Sequence, residues 1–158
     1  NTILAEAPEV VEVAASRFGS QAIVGSIDVR RVGEGHEVVV RGNRKVVSLS
    51  VVDWARRAVD LGVGEILVTS VDREGTGDGF DLELIRTVTD AVSVPVIGHG
   101  GARRRADLAE PVHEAGASAV AAGNLFVFQG LARGVLINYP PRRQIQKLLV
   151  PGDPAAAG

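Results

Sequence analysis

The amino-acid sequence predicts an α/β fold in which strands alternate with helices, and we interpret it as half of a (β/α)8 barrel. The first observation is a segment that occurs twice, because IVGSID at residues 23–28 recurs as LVTSVD at residues 67–72. Each copy is typical of a buried strand that delivers an acid, Asp28 or Asp72, to its carboxyl end. The two acids are 44 positions apart, which fits one strand-plus-helix unit with a long loop. The second observation is the alternation itself, which continues along the rest of the chain.

Apolar periodicity, with glycine and proline at the ends of segments, defines the individual predicted elements. In chain order, we predict a helix over 8–18, a buried strand over 21–28, two short exposed strands within 32–47, a helix over 51–61, a buried strand over 65–71, a helix after residue 81, a strand over 94–98, a helix through 108–112 with a kink at Pro111, a strand over 118–123 and a terminal helix after Pro140. The four strands of parallel type amount to half of an eight-stranded barrel. Such a half cannot close, so we expect both edge strands to lack a partner.

Composition predicts one globular domain. The chain has 158 residues, of which 46% are hydrophobic and 23% charged, so it can bury a core and is not typical of disorder. A net charge of -2 argues against binding to nucleic acid or to a membrane surface. The chain has no cysteine, which excludes disulfides and thiolate metal sites. We therefore expect a soluble cytoplasmic protein that carries no metal or other cofactor.

The boundaries of the chain lead to two further expectations. We assign residues 1–150 to the half-barrel domain and residues 151–158, which are rich in Pro, Ala and Gly, to a flexible tail. The sequence contains no Met and starts with Asn1 and Thr2, so we expect a processed chain or a fragment of a longer protein.

Three segments carry a specific family pattern. They are EILVTSVDREGT at 65–76, DLELIR at 81–86, and VPVI at 94–97 followed by Gly100 and Gly101. These segments resemble the cyclase subunit of imidazole glycerol phosphate synthase, and the likeness runs in continuous order over roughly residues 1–130. It aligns the chain with the carboxyl-terminal half of that (β/α)8 TIM barrel, namely strands 5–8 and the helix after strand 4. The resemblance implies a lyase of histidine biosynthesis that takes ammonia from a glutaminase subunit and closes an imidazole ring, releasing an aminoimidazole carboxamide ribotide.

The resemblance also implies roles for individual acids. Asp28 matches one of two acids that share the proton transfers of cyclisation, a task for which positioned carboxylates are suited. The other acid would lie on the first strand, in the amino-terminal half of the barrel, which this chain lacks. Glu65, at the amino end of its strand, matches one member of a charged gate through which ammonia enters the barrel. We therefore expect the chain alone to have no cyclase activity.

The substrate that the resemblance implies is a ribotide with a phosphate at each end. Glycine lets backbone N–H groups approach such an anion closely. One phosphate site of the family includes the positions of Asn1 and Thr2. The other matches loop residues after three successive strands: Glu74, Gly75, Gly101, Gly123 and Asn124.

Several residues depart from the family pattern and leave an alternative open. The family usually has Asp at position 74 and Ser at positions 99 and 124, where this chain has Glu74, His99 and Asn124. His99 could add a cation for phosphate or indicate another substrate. The segments 116–123, 126–130 and 135–140, the last reading VLINYP, look more like a paralogous branch. Those relatives accompany sugar amidotransferases in surface-polysaccharide synthesis and are thought to pass ammonia without cyclisation.

A hypothesis of a different class needs no active site. A half-barrel complete in itself would have to self-associate through its exposed edges and would act as a structural module. Individual residues also have simpler interpretations: Asp72 suits the cap of a turn, Trp54 suits packing between strand and helix, and His36 and His113 suit the surface. Hydrodynamic size separates a stable dimer from an aggregating fragment.

Overall fold

The computed structural model describes residues 1–129, 134–135 and 137–150, so the predicted tail over 151–158 lies outside the described residues. The strands are β1 (Val24–Val32), β2 (Gly35–Val40), β3 (Lys45–Val46), β4 (Glu65–Ser70), β5 (Val96–His99), β6 (Ala119–Ala121), β7 (Phe128–Gln129) and β8 (Gly134–Val135). The helices are α1 (Thr2–Glu6), α2 (Pro8–Phe18), α3 (Val51–Asp60), α4 (Leu82–Thr89), α5 (Glu110–Ala115), α6 (Asn124–Val127) and α7 (Arg142–Leu149), with short 3-10 helices at Ser20–Ala22 and Arg105–Ala109.

One mixed sheet organises the molecule. Its strands run in the order β3-β2-β1-β4-β5-β6, and β7 pairs separately with β8. The neighbours β1, β4, β5 and β6 are parallel, whereas β2 pairs antiparallel with β1 and β3 pairs antiparallel with β2. Parallel neighbours require a crossover, and α3, α4 and α5 lie between successive parallel strands along the chain. The predicted α/β class is therefore confirmed as a six-stranded, mostly parallel sheet with helices.

The two faces of the parallel strands differ in burial. On the first face, side chains such as Ile27, Val29, Ile66 and Val68 are fully buried in the core that the helices cover. The intervening residues of each strand point to the opposite face, because side chains alternate along a strand. On that second face the apolar side chain of Leu67 is only half-buried.

Helices α3 and α4 begin where the sequence predicts. The Ser50 hydroxyl accepts a hydrogen bond of 3.1 Å from the Asp53 backbone N–H, and the Asp81 carboxylate accepts one of 3.1 Å from Leu84. Each cap satisfies a backbone donor that the first helical turn leaves open. Trp54 is 4% exposed, which confirms its predicted packing role. Among the described helices, none is both long enough and apolar enough to cross a membrane.

Strand β1 differs from its predicted range of 21–28. Residues 20–22 form a 3-10 helix after Gly19, and the strand continues to Val32 because its second half pairs with β2. The two copies of the predicted repeat are not in register across the sheet, because Asp28 lies opposite Thr69, three residues before Asp72. Asp72 lies in the turn after β4, where its carboxylate accepts a 2.6 Å hydrogen bond from the backbone N–H of Arg31.

The excursion after β1 is more buried than predicted. Val38, Val39 and Val40 on β2 are fully buried, because the hairpin folds back beside β1 and does not extend into solvent. The prediction of a surface position for His36 is wrong, since its side chain is 10% exposed and its Nε2 lies 3.3 Å from the Asp81 carboxylate. The predicted surface position of His113 is confirmed.

The predicted kink at Pro111 is also wrong. A 3-10 helix over Arg105–Ala109 leads into α5, and Pro111 lies in the first turn of that helix. Proline is tolerated there because the first-turn N–H groups have no partner within the helix. The prediction that the edge strand β1 lacks a partner is corrected in part. Strand β2 pairs with the carboxyl half of β1, whereas residues 24–27 of β1 pair only with β4 among the described residues.

Candidate functional site

Four residues form a row across the parallel strands near their carboxyl ends. The ladders pair Asp28 with Thr69, Thr69 with His99, and His99 with Ala121. Paired residues of parallel strands point to the same face, so all four belong to the second, half-covered face of the sheet. Adjacent strands lie about 4.8 Å apart, which separates Asp28 from His99 by roughly 10 Å. The row brings one predicted acid and one histidine to the same surface.

Asp28 is held by a side chain from the start of the chain. The Asn1 amide donates hydrogen bonds of 2.7 Å to Asp28 Oδ2 and of 2.8 Å to the Val39 carbonyl. Ser26 Oγ lies 3.4 Å from Asp28 Oδ1. The Thr2 hydroxyl accepts a 3.1 Å hydrogen bond from the backbone N–H of Arg41, on the turn after β2. Asn1 and Thr2 therefore lie on the β1 and β2 side of the sheet, beside the acid.

The other predicted phosphate residues converge on a separate pocket, which we call the glycine pocket. It is a cleft of about 10 Å³, enough for a water-sized group. Its described lining contains all five residues that the sequence predicts for this site, namely Glu74, Gly75, Gly101, Gly123 and Asn124. The remaining lining residues are Gly100, Ala102, Ala122 and Leu125. Three loops, after β4, β5 and β6, meet here.

Two glycines after β5 make this convergence possible. Gly101 has φ +101°, and a Cβ atom there would lie 2.0 Å from the Gly79 carbonyl oxygen. Gly100 has φ +100°, and its Cβ would lie 2.7 Å from the Ser70 carbonyl oxygen. The Gly79 N–H donates a 2.8 Å hydrogen bond to the Gly101 carbonyl, which joins the two loops. Only glycine fits these positive φ values and close backbone approaches.

His99 connects the row on the sheet with the glycine pocket. Its Nδ1 lies 3.1 Å from Thr69 Oγ1, and its Nε2 lies 3.4 Å from Glu74 Oε2. His99 departs from the family pattern in the sequence, whereas Thr69 was not predicted as a site residue. Thr69 could have been found by counting residues along the ladder from Glu65, because every second side chain of β4 shares the face of the acid.

Glu65 lies at the opposite end of the same face. It opens β4 and pairs with Val24 at the amino end of β1. Thr69 is the fourth residue after it along β4, which corresponds to roughly 13 Å along a strand. The predicted gate residue and the predicted acid thus occupy opposite ends of one sheet face.

A buried acid joins the β1–β2 hairpin to the loop that precedes α4. Asp81 is 4% exposed, and its Oδ2 lies 3.3 Å from His36 Nε2 and 3.5 Å from Arg31 Nη2. Burial raises the pKa of Asp81, but hydrogen bonds from the Leu84 N–H and His36, with the charge of Arg31, outweigh it and leave the pKa below its usual value. The sequence predicts Asp81 as a helix cap, which is confirmed, and does not predict this cluster.

Replacing Asp81 by Ala will lower the free energy of unfolding by about 3 kcal/mol at neutral pH, because the cap and the hairpin contacts are lost together. Ser50→Ala is the matched control, since it removes the cap of α3 alone and should cost about 1 kcal/mol. Urea unfolding of both variants measures the difference. Equal losses would show that the contacts of Asp81 with His36 and Arg31 contribute nothing.

Comparison of wild type with Asp81→Ala at several pH values tests the sign of the pKa shift. Because the folded-state pKa of Asp81 is lowered, its contribution is complete above the unfolded-state value of 3.8 and is lost as the pH falls through the lower folded value. The difference in unfolding free energy between wild type and Asp81→Ala should therefore shrink only in acid. A difference that already shrinks near neutral pH would contradict this direction.

Comparison with known proteins identifies relatives over most of the chain. The family model described as "Histidine biosynthesis protein" matches residues 1–132. A protein of Metallosphaera sedula named imidazole glycerol phosphate synthase subunit HisF is 48% identical over 126 residues, which are 80% of this chain and 50% of that protein. The proteins of the same name from Pyrobaculum aerophilum and Streptomyces griseus are 44% and 48% identical, over 92% and 83% of this chain and 57% and 52% of their own length.

The chain spans about half the length of the curated relatives that it matches. The family match includes Asp28, His99 and the residues of both predicted phosphate sites, and it extends beyond the last residue that lines the glycine pocket. By this match the chain belongs to the histidine biosynthesis protein family and is similar to its imidazole glycerol phosphate synthase HisF subunits.

Proposed function

We propose that this chain forms the carboxyl-terminal half of a (β/α)8 barrel that acts as the cyclase subunit of imidazole glycerol phosphate synthase. The half-covered second face of the sheet carries this proposal. It combines half-buried apolar side chains such as Leu67 and Ile97 with the carboxylates of Glu65 and Asp28. In a closed barrel that face becomes the interior, and the carboxyl ends of its strands form the active site.

The proposed substrate carries a phosphate at each end, and the chain offers two separate groups of residues for them. Asn1 and Thr2 would contact one phosphate near β1, and the glycine pocket would contact the other near β6. Three strand spacings separate Asp28 from Ala121 in the row, which is about 14 Å. An extended ribotide anchored at both ends would therefore cross the row of side chains between them.

Asp28 would act as a general acid and base between the two anchors. Ring closure with cleavage of a carbon–nitrogen bond requires protons to be removed from one nitrogen and delivered to another, and a carboxylate positioned on the substrate can do both in sequence. The Asn1 amide donates to Asp28 Oδ2 and so fixes the orientation of the carboxylate. A second acid would come from the amino-terminal half of the barrel.

Ammonia would enter from the end of the barrel opposite to Asp28. Glu65 lies at that end on the same sheet face, which suits a charged residue at the mouth of a central channel. The donor would be a glutaminase subunit that docks there, in the cytoplasm. The relatives are named as subunits of a synthase, which supports an assembly with a partner.

A second candidate function rests on the packing of the last described segment. Tyr139 contacts Phe126 with 4.8 Å between ring centroids, and the Asn138 N–H donates a 2.8 Å hydrogen bond to the Phe126 carbonyl. The segment that resembles the ammonia-delivering paralogue thus packs against the helix that borders the glycine pocket. In that candidate the barrel passes ammonia to a sugar amidotransferase and does not close a ring.

Genetic complementation tests the proposed function. We expect this chain, fused behind the amino-terminal half of the Metallosphaera sedula subunit, to restore growth without histidine in a strain that lacks its own cyclase subunit but retains the glutaminase. The amino-terminal half alone is the negative control, and the complete Metallosphaera subunit is the positive control. Growth with the positive control and none with the fusion, at equal amounts of folded protein, would favour the paralogous function.

A further inference from the structure

We propose that His99 and Glu74 couple the binding of an anion in the glycine pocket to the uptake of one proton from solvent. The inference rests on the proposed function, because it takes this pocket as a site for a substrate phosphate. It adds a determinant of pH dependence and of ligand charge that the proposed phosphate contacts alone do not supply.

Glu74 creates the need for such a proton. Among the described residues that line the glycine pocket, its carboxylate is the charged group, and the others are glycine, alanine, leucine and asparagine. An anion in the pocket would therefore lie beside a like charge. Two negative charges a few ångströms apart repel each other even near a protein surface. Anion binding in this pocket requires compensation.

His99 is positioned to provide it. Its Nε2 lies 3.4 Å from Glu74 Oε2, so a protonated imidazole neutralises that carboxylate directly. The hydroxyl of Thr69, 3.1 Å from Nδ1, can accept a hydrogen bond from an imidazolium and can donate one to a neutral ring nitrogen. Thr69 thus holds the ring in place in either protonation state, and the state is free to follow the ligand.

The loops after β4 and β5 carry further charged residues, among them the exposed Arg103 beside Gly77, but the residues that flank His99 in the sheet are uncharged. Its ladder neighbours on β4 and β6 are Thr69 and Ala121. Arg73, one residue before Glu74, donates to the carbonyls of Asp78 and Gly79 and lies 3.9 Å from Asp81. Asp28 is two strands away and accepts from the Asn1 amide.

The coupling has a definite sign. Histidine side chains as a class change charge between about pH 5 and 8, so a pocket that needs an imidazolium binds anions better at the acidic end. By linkage, a bound anion in turn favours the protonated ring, and binding takes up a proton from the buffer. Removing the carboxylate abolishes the need for the proton, whereas removing the imidazole leaves the repulsion in place.

Calorimetric titration with sulfate tests this inference, since sulfate remains a dianion over the whole range. We expect the wild-type chain to bind sulfate at least about tenfold more tightly near pH 5.5 than near pH 8, with a binding enthalpy that depends on the buffer because a proton is taken up. Glu74→Gln should bind tightly at both pH values. His99→Gln should bind weakly at both, and His113→Gln, which alters an exposed histidine away from the pocket, should behave as wild type.

Gly123→Asp separates the failure of the coupling from the failure of the pocket. A Cβ atom at Gly123 meets nothing within 4 Å, so this variant adds a carboxylate to the pocket without a clash and should abolish sulfate binding. If Gly123→Asp abolishes sulfate binding, but the binding changes neither with pH nor with Glu74→Gln, the coupling is overturned and the proposed pocket stands. No binding by wild type or Glu74→Gln at either pH, or binding that Gly123→Asp does not change, would overturn both.

Discussion

In the proposed cyclase, which combines this chain with an amino-terminal half-barrel, Asp28→Asn will reduce the rate of imidazole glycerol phosphate formation by about a thousandfold or more, because an amide cannot take up or release the protons of ring closure. The change should leave the fold intact. Asn keeps an oxygen that can accept the hydrogen bond from the Asn1 amide, and Asp28 lies on the half-covered face and not in the fully buried core. The rate is measured with ammonium as nitrogen donor, which makes the result independent of the glutaminase.

Asp72→Asn is the matched control for this prediction. Asp72 occupies the same place in the sequence repeat, but its carboxylate accepts from the Arg31 backbone N–H in a turn, where an amide oxygen can substitute. We expect a change in rate of less than about tenfold. If Asp28→Asn and Asp72→Asn slow the reaction equally, or if Asp28→Asn retains most of the wild-type rate, the assigned role of Asp28 is wrong.

Gly101→Ala will have the largest effect on stability, with a loss of about 3 kcal/mol or more in the free energy of unfolding. The new Cβ would lie 2.0 Å from the Gly79 carbonyl oxygen, and the backbone has φ +101°, so both sterics and conformation oppose the side chain. The obstructing atom belongs to the backbone of another loop, so relief requires the two loops to separate. Urea unfolding measures the loss, and the separation should also abolish sulfate binding in the pocket.

Gly123→Ala provides the comparison within the same pocket. Its added methyl group meets nothing within 4 Å, and its φ of -104° is accessible to any residue, so we expect a change below about 1 kcal/mol. A Gly101→Ala protein as stable as Gly123→Ala would contradict the close approach of the two loops on which the pocket depends.

The elements that the sequence predicts well are those with strong local signals. Ser50 and Asp81 cap their helices as predicted, and Pro8 and Gly19 mark the two ends of α2. The parallel strands were predictable because burial on the helix-covered face leaves a dense pattern of β-branched residues. Their order is also the expected one, since consecutive strands joined by helices become neighbours.

The two short strands after β1 are present as predicted, but their burial was mispredicted because the sequence pattern conflicts with the tertiary environment. Charged residues at 34–37 and 41–45 suggest an exposed excursion, but Val38, Val39 and Val40 between them are fully buried beside β1. His36 is likewise drawn to a buried acid, Asp81, that lies 45 positions further along the chain. Local patterns do not contain contacts across such separations, so tertiary packing decided these cases.

The site was predictable as a set of residues but not as a geometry. The family pattern selects Glu74, Gly75, Gly101, Gly123 and Asn124, and these line one pocket. The link from His99 to both Thr69 and Glu74 depends on the register of β4 and β5, and register follows from pairing between strands that are distant in sequence. The sequence repeat aligns Asp28 with Asp72, whereas the residue that lies opposite Asp28 across the sheet is Thr69.

The most direct test of the proposed cyclase is the conversion of the ribotide substrate by a purified barrel. This chain is combined with the amino-terminal half of the Metallosphaera sedula subunit, ammonium is supplied, and the formation of imidazole glycerol phosphate and aminoimidazole carboxamide ribotide is followed. We expect both products in equal amounts from the combined halves and neither from this chain alone. A folded, combined barrel that binds the substrate but forms neither product would contradict the cyclase assignment, and product formation by this chain alone would contradict the half-barrel interpretation.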